Sequence, residues 1–162
     1  MSSSLHAVLN KQIANWSVLY KKLHHYHWFV NGPHFFTLHA KYEEFYNEAA
    51  RYVDELAERL LAIGGKPVST MKACLETASL REASGGESAE ATVEAIVADF
   101  QTLIRELEEG MAVAEKENDQ PTLDMFVGIS GSLQKHVWML QAFLGKEAVE
   151  PPRRTPVMAG SR

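Results

Sequence analysis

Apolar residues recur every three or four positions along most of the chain, which is the spacing that places them on one face of an α-helix. The pattern predicts four long helices, at residues 5–30, 36–63, 89–114 and 121–144. Start and stop signals border them: Asn-Gly-Pro at 31–33, Gly-Gly at 64–65 followed by Pro67, Asp119 as a cap before the fourth helix, and Gly145 after it.

The connections between these helices predict how they pack. Short turns join the first helix to the second and the third to the fourth, so each pair is expected to be antiparallel. Residues 65–89 are too long for a simple hairpin and long enough to cross the bundle from end to end. Apolar spacing at 71–78 predicts a short extra helix inside this crossover. Two antiparallel pairs joined by one long crossover describe an all-α, ferritin-like four-helix bundle.

The two ends of the chain and the single cysteine bear on its domain organisation and cellular location. We expect residues 1–150 to form one domain and residues 151–162, which contain helix-breaking prolines, to form a flexible tail. The N-terminus lacks the basic start and apolar block of a secretory signal, and no apolar run approaches the roughly 20 residues of a membrane span. Cys74 has no second cysteine to pair with. These features predict a cytoplasmic protein.

Charge is unevenly distributed along the chain, whose net charge is −5. Residues 1–42 contain four lysines and no acidic residue, whereas residues 43–145 carry a net charge of −11. Such an acidic region attracts cations rather than nucleic acid. Charge alone favours a solvated acidic helix surface over a cation-binding one, so a binding site has to be argued from the arrangement of individual side chains.

Five histidines fall within residues 24–39, "HHYHWFVNGPHFFTLH", around the predicted turn. His27 lies six residues before the proline of the turn and His39 six residues after it, so their imidazoles can converge at one level of a helix hairpin. Glu43 follows His39 by four residues and shares its helix face. The remaining three have no comparable carboxylate partner and are expected to be surface or interface residues: His24, His25 and His34.

Asp54 and Glu58 form a carboxylate pair, also four residues apart, further along the second helix. Fifteen residues separate His39 from Asp54, about 22 Å along a helix axis, whereas a metal ligand shell is only about 4–5 Å across. One chain therefore cannot bring the two pairs together. Two copies packed antiparallel across a two-fold axis would place the histidine pair of one chain opposite the carboxylate pair of the other, twice per dimer. The spacing predicts a metal site between subunits.

Purely structural roles would also explain these side chains. A single histidine is more often a packed residue than a ligand, and the carboxylate pair could be solvated beside Arg51 and Arg59. A di-iron centre inside one bundle is disfavoured, because no glutamate has a histidine three residues later and the third and fourth helices contain only His136.

Residues 23–71, "LHHYHWFVNGPHFFTLHAKYEEFYNEAARYVDELAERLLAIGGKPVSTM", strongly resemble the Dps family, the DNA-binding proteins from starved cells, or miniferritins. "HW" at 27–28, "LH" at 38–39 and "DELAER" at 54–59 stand at the spacing of that family's ferroxidase positions. The resemblance implies that the iron ligands and catalytic residues include His27, His39, Asp54 and Glu58. Glu43 stands where the family commonly has an acidic residue, and Trp28 resembles the tryptophan thought to intercept oxidising equivalents.

The resemblance also implies an assembly and an activity. Family members build a hollow dodecamer of tetrahedral symmetry, with two-iron ferroxidase sites at its two-fold interfaces. They oxidise Fe(II), preferentially with hydrogen peroxide rather than O2, and store the ferric product inside. Zn or Mn could substitute for iron in such a ligand set. Asp119 and Asp124 stand at positions comparable to those lining the family's acidic ion-entry pores, although Asp119 could also be a plain helix cap.

DNA binding is expected to be weak or absent. Only "MSSS" precedes the first predicted helix, in place of the lysine-rich arm of many DNA-binding members, and the tail offers three arginines: Arg153, Arg154 and Arg162. Association with the nucleoid would depend on such contacts. The alternative to a ferroxidase is a non-catalytic, DNA-compacting or structural cage whose dimer interfaces are held by zinc.

Overall fold

The computed structural model describes residues 3–146, which form helices and no strand. The helices are α1 (Ser3–Phe29), α2 (Phe35–Ala62), α3 (Met71–Thr77), α4 (Ala89–Lys116) and α5 (Gln120–Phe143). The predicted all-α bundle, with a long crossover and a short extra helix, is confirmed, and the long helices end within two residues of their predicted limits. The tail predicted at 151–162 lies outside the described residues.

Each long helix buries one apolar stripe in a common core. α1 packs along α2, and α4 packs along α5, while α1 also contacts α4 and α3. The largest fully buried side chains come from all four long helices, and include Trp16, Tyr26, Tyr42, Phe100 and Phe126. No helix among residues 3–146 is both long enough and apolar enough to cross a membrane.

Two asparagines of α1 hold the crossover against the bundle. Asn10 accepts the backbone N–H of Val68 at 2.9 Å, and its amide donates to the carbonyl oxygen of Lys66 at 3.0 Å. Asn15 accepts the backbone N–H of Ser79 at 2.8 Å and donates to Glu106 of α4 at 2.6 Å. Because each side-chain amide both donates and accepts a hydrogen bond, the two asparagines hold the crossover along a defined path from α2 to α4.

Close packing and a tight turn set the geometry of the helix pairs. Gly110 lies where α4 meets α1 and α5, and a Cβ atom there would come within 2.7 Å of Val8 Cγ1 and 2.8 Å of a ring carbon of Phe126. Gly32, with φ of +105°, supplies the left-handed backbone of the turn between α1 and α2. That turn brings the ends of these helices, and the histidines on them, to one level.

A buried ion pair joins α1 to α4. Lys22 Nζ lies 2.7 Å from Asp99 Oδ2, and the two side chains are only 8% and 13% exposed. Burial raises the pKa of Asp99, although the hydrogen bond and charge of Lys22 oppose that effect. The aspartate therefore depends on the lysine to remain ionised in the core.

Candidate metal centre

His27 of α1 and His39 of α2 meet across the hairpin. Their rings are stacked, with centroids 3.6 Å apart, and the ring of Phe35 stacks on His39 from 4.9 Å. His27 is buried and His39 is half-buried. The predicted convergence of these two imidazoles is confirmed.

Reciprocal hydrogen bonds determine which nitrogen of each imidazole is available to bind a metal. His27 Nδ1 donates to the backbone carbonyl oxygen of His39 at 2.7 Å, and His39 Nδ1 donates to that of His27 at 2.8 Å. A carbonyl oxygen can only accept, so both Nδ1 atoms carry protons, and in each neutral ring the lone pair is on Nε2. Neither Nε2 has a hydrogen-bond partner among the described residues. A backbone carbonyl on the far nitrogen is the usual support of a metal-binding histidine.

Asp54 and Glu58 are exposed on α2, one turn apart. Within residues 3–146 neither carboxylate has a hydrogen bond or an ion pair. The neighbouring arginines are engaged elsewhere: Arg51 lies 3.6 Å from Glu55, and Arg59 lies 2.7 Å from Asp119. Both carboxylates therefore have oxygen atoms available to bind a cation.

One chain supplies two separate halves of a metal site. Within the described part of the chain, no three histidine, cysteine, aspartate or glutamate side chains lie close enough together to hold a metal ion. The histidine pair lies at the turn of the α1–α2 hairpin, and the carboxylate pair lies about 22 Å further along α2. A complete ligand set of these four residues requires a second copy of the chain.

One residue beside the histidine pair, Tyr46, was not singled out from the sequence. The ring of Tyr46 lies edge-on to His27, with centroids 5.2 Å apart, and stacks on His24 at 3.9 Å. Tyr46 lies seven residues after His39 on the same helix face, a spacing that would have identified it. Glu43 is exposed and accepts a long hydrogen bond, 3.4 Å, from the Tyr46 hydroxyl.

Trp28 lies outside this cluster rather than in the core. Its side chain is 57% exposed, its ring centroid is 5.3 Å from that of His24, and Lys21 Nζ approaches the ring to 5.4 Å. An indole this exposed is accessible to solvent or to another protein surface.

Comparison with known proteins identifies the family to which the chain belongs. A family model of the ferritin-like domain matches residues 6–148. The crystal structure of Dps from Staphylococcus aureus superposes with a TM-score of 0.88 at 48% identity, covering 90% of this chain and 98% of that chain. The chain belongs to the Dps family.

Other Dps relatives match over nearly their whole length. DNA protection during starvation protein 2 of Bacillus anthracis is 54% identical over 146 residues, which is 90% of this chain and 100% of the relative. A structure of Dps from Listeria innocua soaked with zinc has a TM-score of 0.85 at 43% identity and covers 88% of this chain and 97% of that chain. The resemblance drawn from residues 23–71 is confirmed over the whole helical bundle.

Asp119 and Asp124, the pore residues expected of a Dps chain, have different surroundings. Asp119 caps α5 by accepting the backbone N–H of Thr122 at 3.1 Å, and it pairs with Arg59. Burial alone would raise the pKa of Asp119, but the hydrogen bonds from Thr122 and the guanidinium of Arg59 outweigh it and lower that pKa. Asp124 is exposed and accepts from the Gln120 amide at 2.9 Å. The capping role is confirmed, and the pore role stays a prediction.

His136 has a carboxylate partner in this Dps bundle that sequence spacing could not show. Glu48 of α2 lies 2.8 Å from His136 Nε2 of α5, and it also accepts from the hydroxyls of Tyr52 and Ser132 at 2.7 and 2.9 Å. Burial would raise the pKa of Glu48, but these hydrogen bonds lower it to about 2. Glu48 therefore ties α2 to α5 as a carboxylate.

Proposed function

We propose that two copies of this chain form a ferroxidase site, with His27 and His39 from one copy and Asp54 and Glu58 from the other. One observation carries the proposal: a histidine pair with both Nδ1 protons bound to backbone carbonyls leaves two Nε2 lone pairs for a metal. The unpaired carboxylates of α2 supply the complementary negative charge. Membership of the Dps family supports iron as the metal.

The reaction that suits this ligand set is the two-electron reduction of hydrogen peroxide. Two Fe(II) ions, as substrate, each give up one electron, the O–O bond of the peroxide breaks, and two protons from solvent complete two water molecules. Because both electrons reach one peroxide, no hydroxyl radical is released. Imidazole and carboxylate together bind Fe(II), and they would also accept Zn(II) or Mn(II).

We further propose that the copies assemble into a hollow, tetrahedral dodecamer that stores the ferric product. Large apolar side chains on the described surface support burial by other copies: Phe36 is 85% exposed, Met71 77% and Leu61 60%. Fe(II) would enter such a shell through acidic pores containing Asp119 and Asp124. We also propose that the protein is located in the cytoplasm.

Protection of DNA would then come from removal of iron and peroxide rather than from coating the DNA. The chain has a net charge of −5, whereas phosphate contacts require clustered cations. The three arginines beyond Lys146 are too few per chain for tight binding at physiological salt.

Anaerobic loading with Fe(II), followed by stopped-flow mixing with hydrogen peroxide or with air, tests the proposed function. A particle of about twelve subunits should give ferric absorbance much faster with peroxide than with air. Ferric absorbance no faster than in protein-free buffer, from an intact particle, would reject the ferroxidase and favour the zinc-held cage.

A further inference from the structure

A pocket of about 360 Å³ lies at the turn end of the bundle, apart from the histidine pair. It opens between the last turn of α1 and the loop that leads into α4. Its walls include three rings and one carboxylate: His25, Tyr26, Phe29 and Glu87. Nothing in the proposed iron chemistry uses these groups.

Glu87 supplies a fixed negative charge to this pocket. Its carboxylate accepts the backbone N–H of Ser84 at 2.8 Å and the hydroxyl of Tyr26 at 3.5 Å. Burial would raise the pKa of Glu87, but the backbone N–H groups of residues 84, 85 and 87, together with the nearby imidazole of His25, outweigh burial and lower that pKa. Among residues 3–146, no lysine, arginine or histidine forms an ion pair with this carboxylate.

The rings beside Glu87 suit a flat organic cation. His25 lies against Phe29 with centroids 4.7 Å apart, and against Tyr26 at 5.9 Å. Phe29 is 67% exposed, so its face is accessible from the pocket side. A guanidinium group stacks on aromatic rings and binds a carboxylate through paired N–H donors, which a compact ammonium cannot do.

The described chain ends close to this pocket. The ring of Phe143, the last residue of α5, contacts His34 at the α1–α2 turn, with centroids 5.2 Å apart. Lys146 Nζ lies 3.8 Å from Glu94, two residues beyond Thr92, which lines the pocket. Arg153 and Arg154 follow seven and eight residues after Lys146, and seven residues can span up to about 24 Å. The arginine pair is therefore within reach.

We propose that the pocket binds the arginine pair at 153 and 154 of the same chain, with a guanidinium paired to Glu87 and stacked on the rings of α1. The arginines supply a guanidinium partner for Glu87, which forms no ion pair among residues 3–146, and the pocket supplies the carboxylate and rings that a guanidinium requires. The C-terminal segment is thereby docked on its own bundle instead of being offered to DNA. This inference stands whether or not the iron site is catalytic.

Protease protection in the assembled, full-length protein tests the docking. Thermolysin cleaves before apolar residues, and Val157 and Met158 lie just beyond the arginine pair. Glu87→Gln should speed cleavage there about tenfold, which corresponds to a loss of about 1.4 kcal/mol in the binding free energy of the segment. Arg153→Gln with Arg154→Gln should do the same, and the three substitutions combined should add nothing further, because both changes break one contact.

Matched controls distinguish loss of docking from a general destabilisation of the helical bundle. Glu90→Gln, in the first turn of α4 but outside the pocket, should leave the cleavage rate within about twofold of wild type. If Glu87→Gln prevents folding, wild-type protein in rising concentrations of N-acetylarginine amide should show the same acceleration. Equal cleavage in wild type and Glu87→Gln, additive effects of the substitutions, or no response of wild type to the amide would overturn the proposal.

Mixed assemblies distinguish the same chain from a neighbouring copy. Chains with Glu87→Gln keep the arginines, and chains with Arg153→Gln and Arg154→Gln keep the pocket. Coassembly of the two should restore no protection if each pocket binds its own chain. Restored protection would assign the pocket to another copy and overturn the same-chain arrangement.

Discussion

Replacing Asp54 by asparagine together with Glu58 by glutamine is expected to abolish rapid Fe(II) oxidation while leaving the protein folded and assembled. Changes to residues that merely support metal ligands typically cost 10–100-fold in activity, so loss of two charged ligands should exceed about 100-fold. Stability should change little, within about 0.5 kcal/mol, because both side chains are exposed and unpartnered within residues 3–146.

Stopped-flow ferric absorbance after peroxide addition measures this loss, and particle mass verifies assembly. Glu55→Gln is the matched control, since Glu55 lies between the two carboxylates in sequence but pairs with Arg51. It should oxidise Fe(II) at the wild-type rate. A doubly substituted protein that oxidises iron as fast as the Glu55 control would remove the carboxylates from the site.

Lys22→Met is expected to destabilise the bundle by about 3 kcal/mol, the usual effect of leaving one charge of a buried pair without its partner. Methionine fills the space of the lysine stem but leaves Asp99 buried and unpaired. Adding Asp99→Leu should recover most of the loss, since it removes the remaining charge. Urea midpoints of the three proteins, at one protein concentration, measure both effects.

The loss caused by Lys22→Met should depend on pH in a defined direction. Burial raises the pKa of Asp99, so the folded chain holds that proton more tightly than the unfolded chain. This group therefore favours folding at low pH and loses that contribution as pH rises through the unfolded and then the folded pKa. The variant should be penalised more at pH 7.5 than at pH 4.5, and an equal penalty at both would place Asp99 in contact with solvent.

Local sequence signals were sufficient to predict the helices. Asn-Gly-Pro at 31–33 and Gly-Gly at 64–65 mark backbone positions that a helix cannot continue through, so the boundaries follow from φ restrictions alone. His27 and His39 lie at the same height along the helix hairpin because each is six residues from the proline of the turn. The predicted meeting of these side chains needed no knowledge of the remaining helices.

Contacts made by backbone atoms and by distant helices could not be predicted in this way. The carbonyl oxygens that orient the two imidazoles carry no residue signature, because every residue has one. Arg59 was placed beside Glu58 by sequence distance, yet it turns to Asp119 at the start of α5. The partnership of Glu48 with His136 likewise depends on how α2 lies against α5.

The central claim is that one site takes its histidines from one chain and its carboxylates from another, and a complementation experiment tests it most directly. Chains with His27→Gln and His39→Gln are coassembled with an equal amount of chains carrying Asp54→Asn and Glu58→Gln, each inactive alone. Half of the randomly formed dimers are mixed, and each mixed dimer has one site with all four native side chains, so about a quarter of the wild-type rate of Fe(II) oxidation should return. Coassembled protein that stays inactive, with mixed dimers verified by mass, would contradict a site shared between chains.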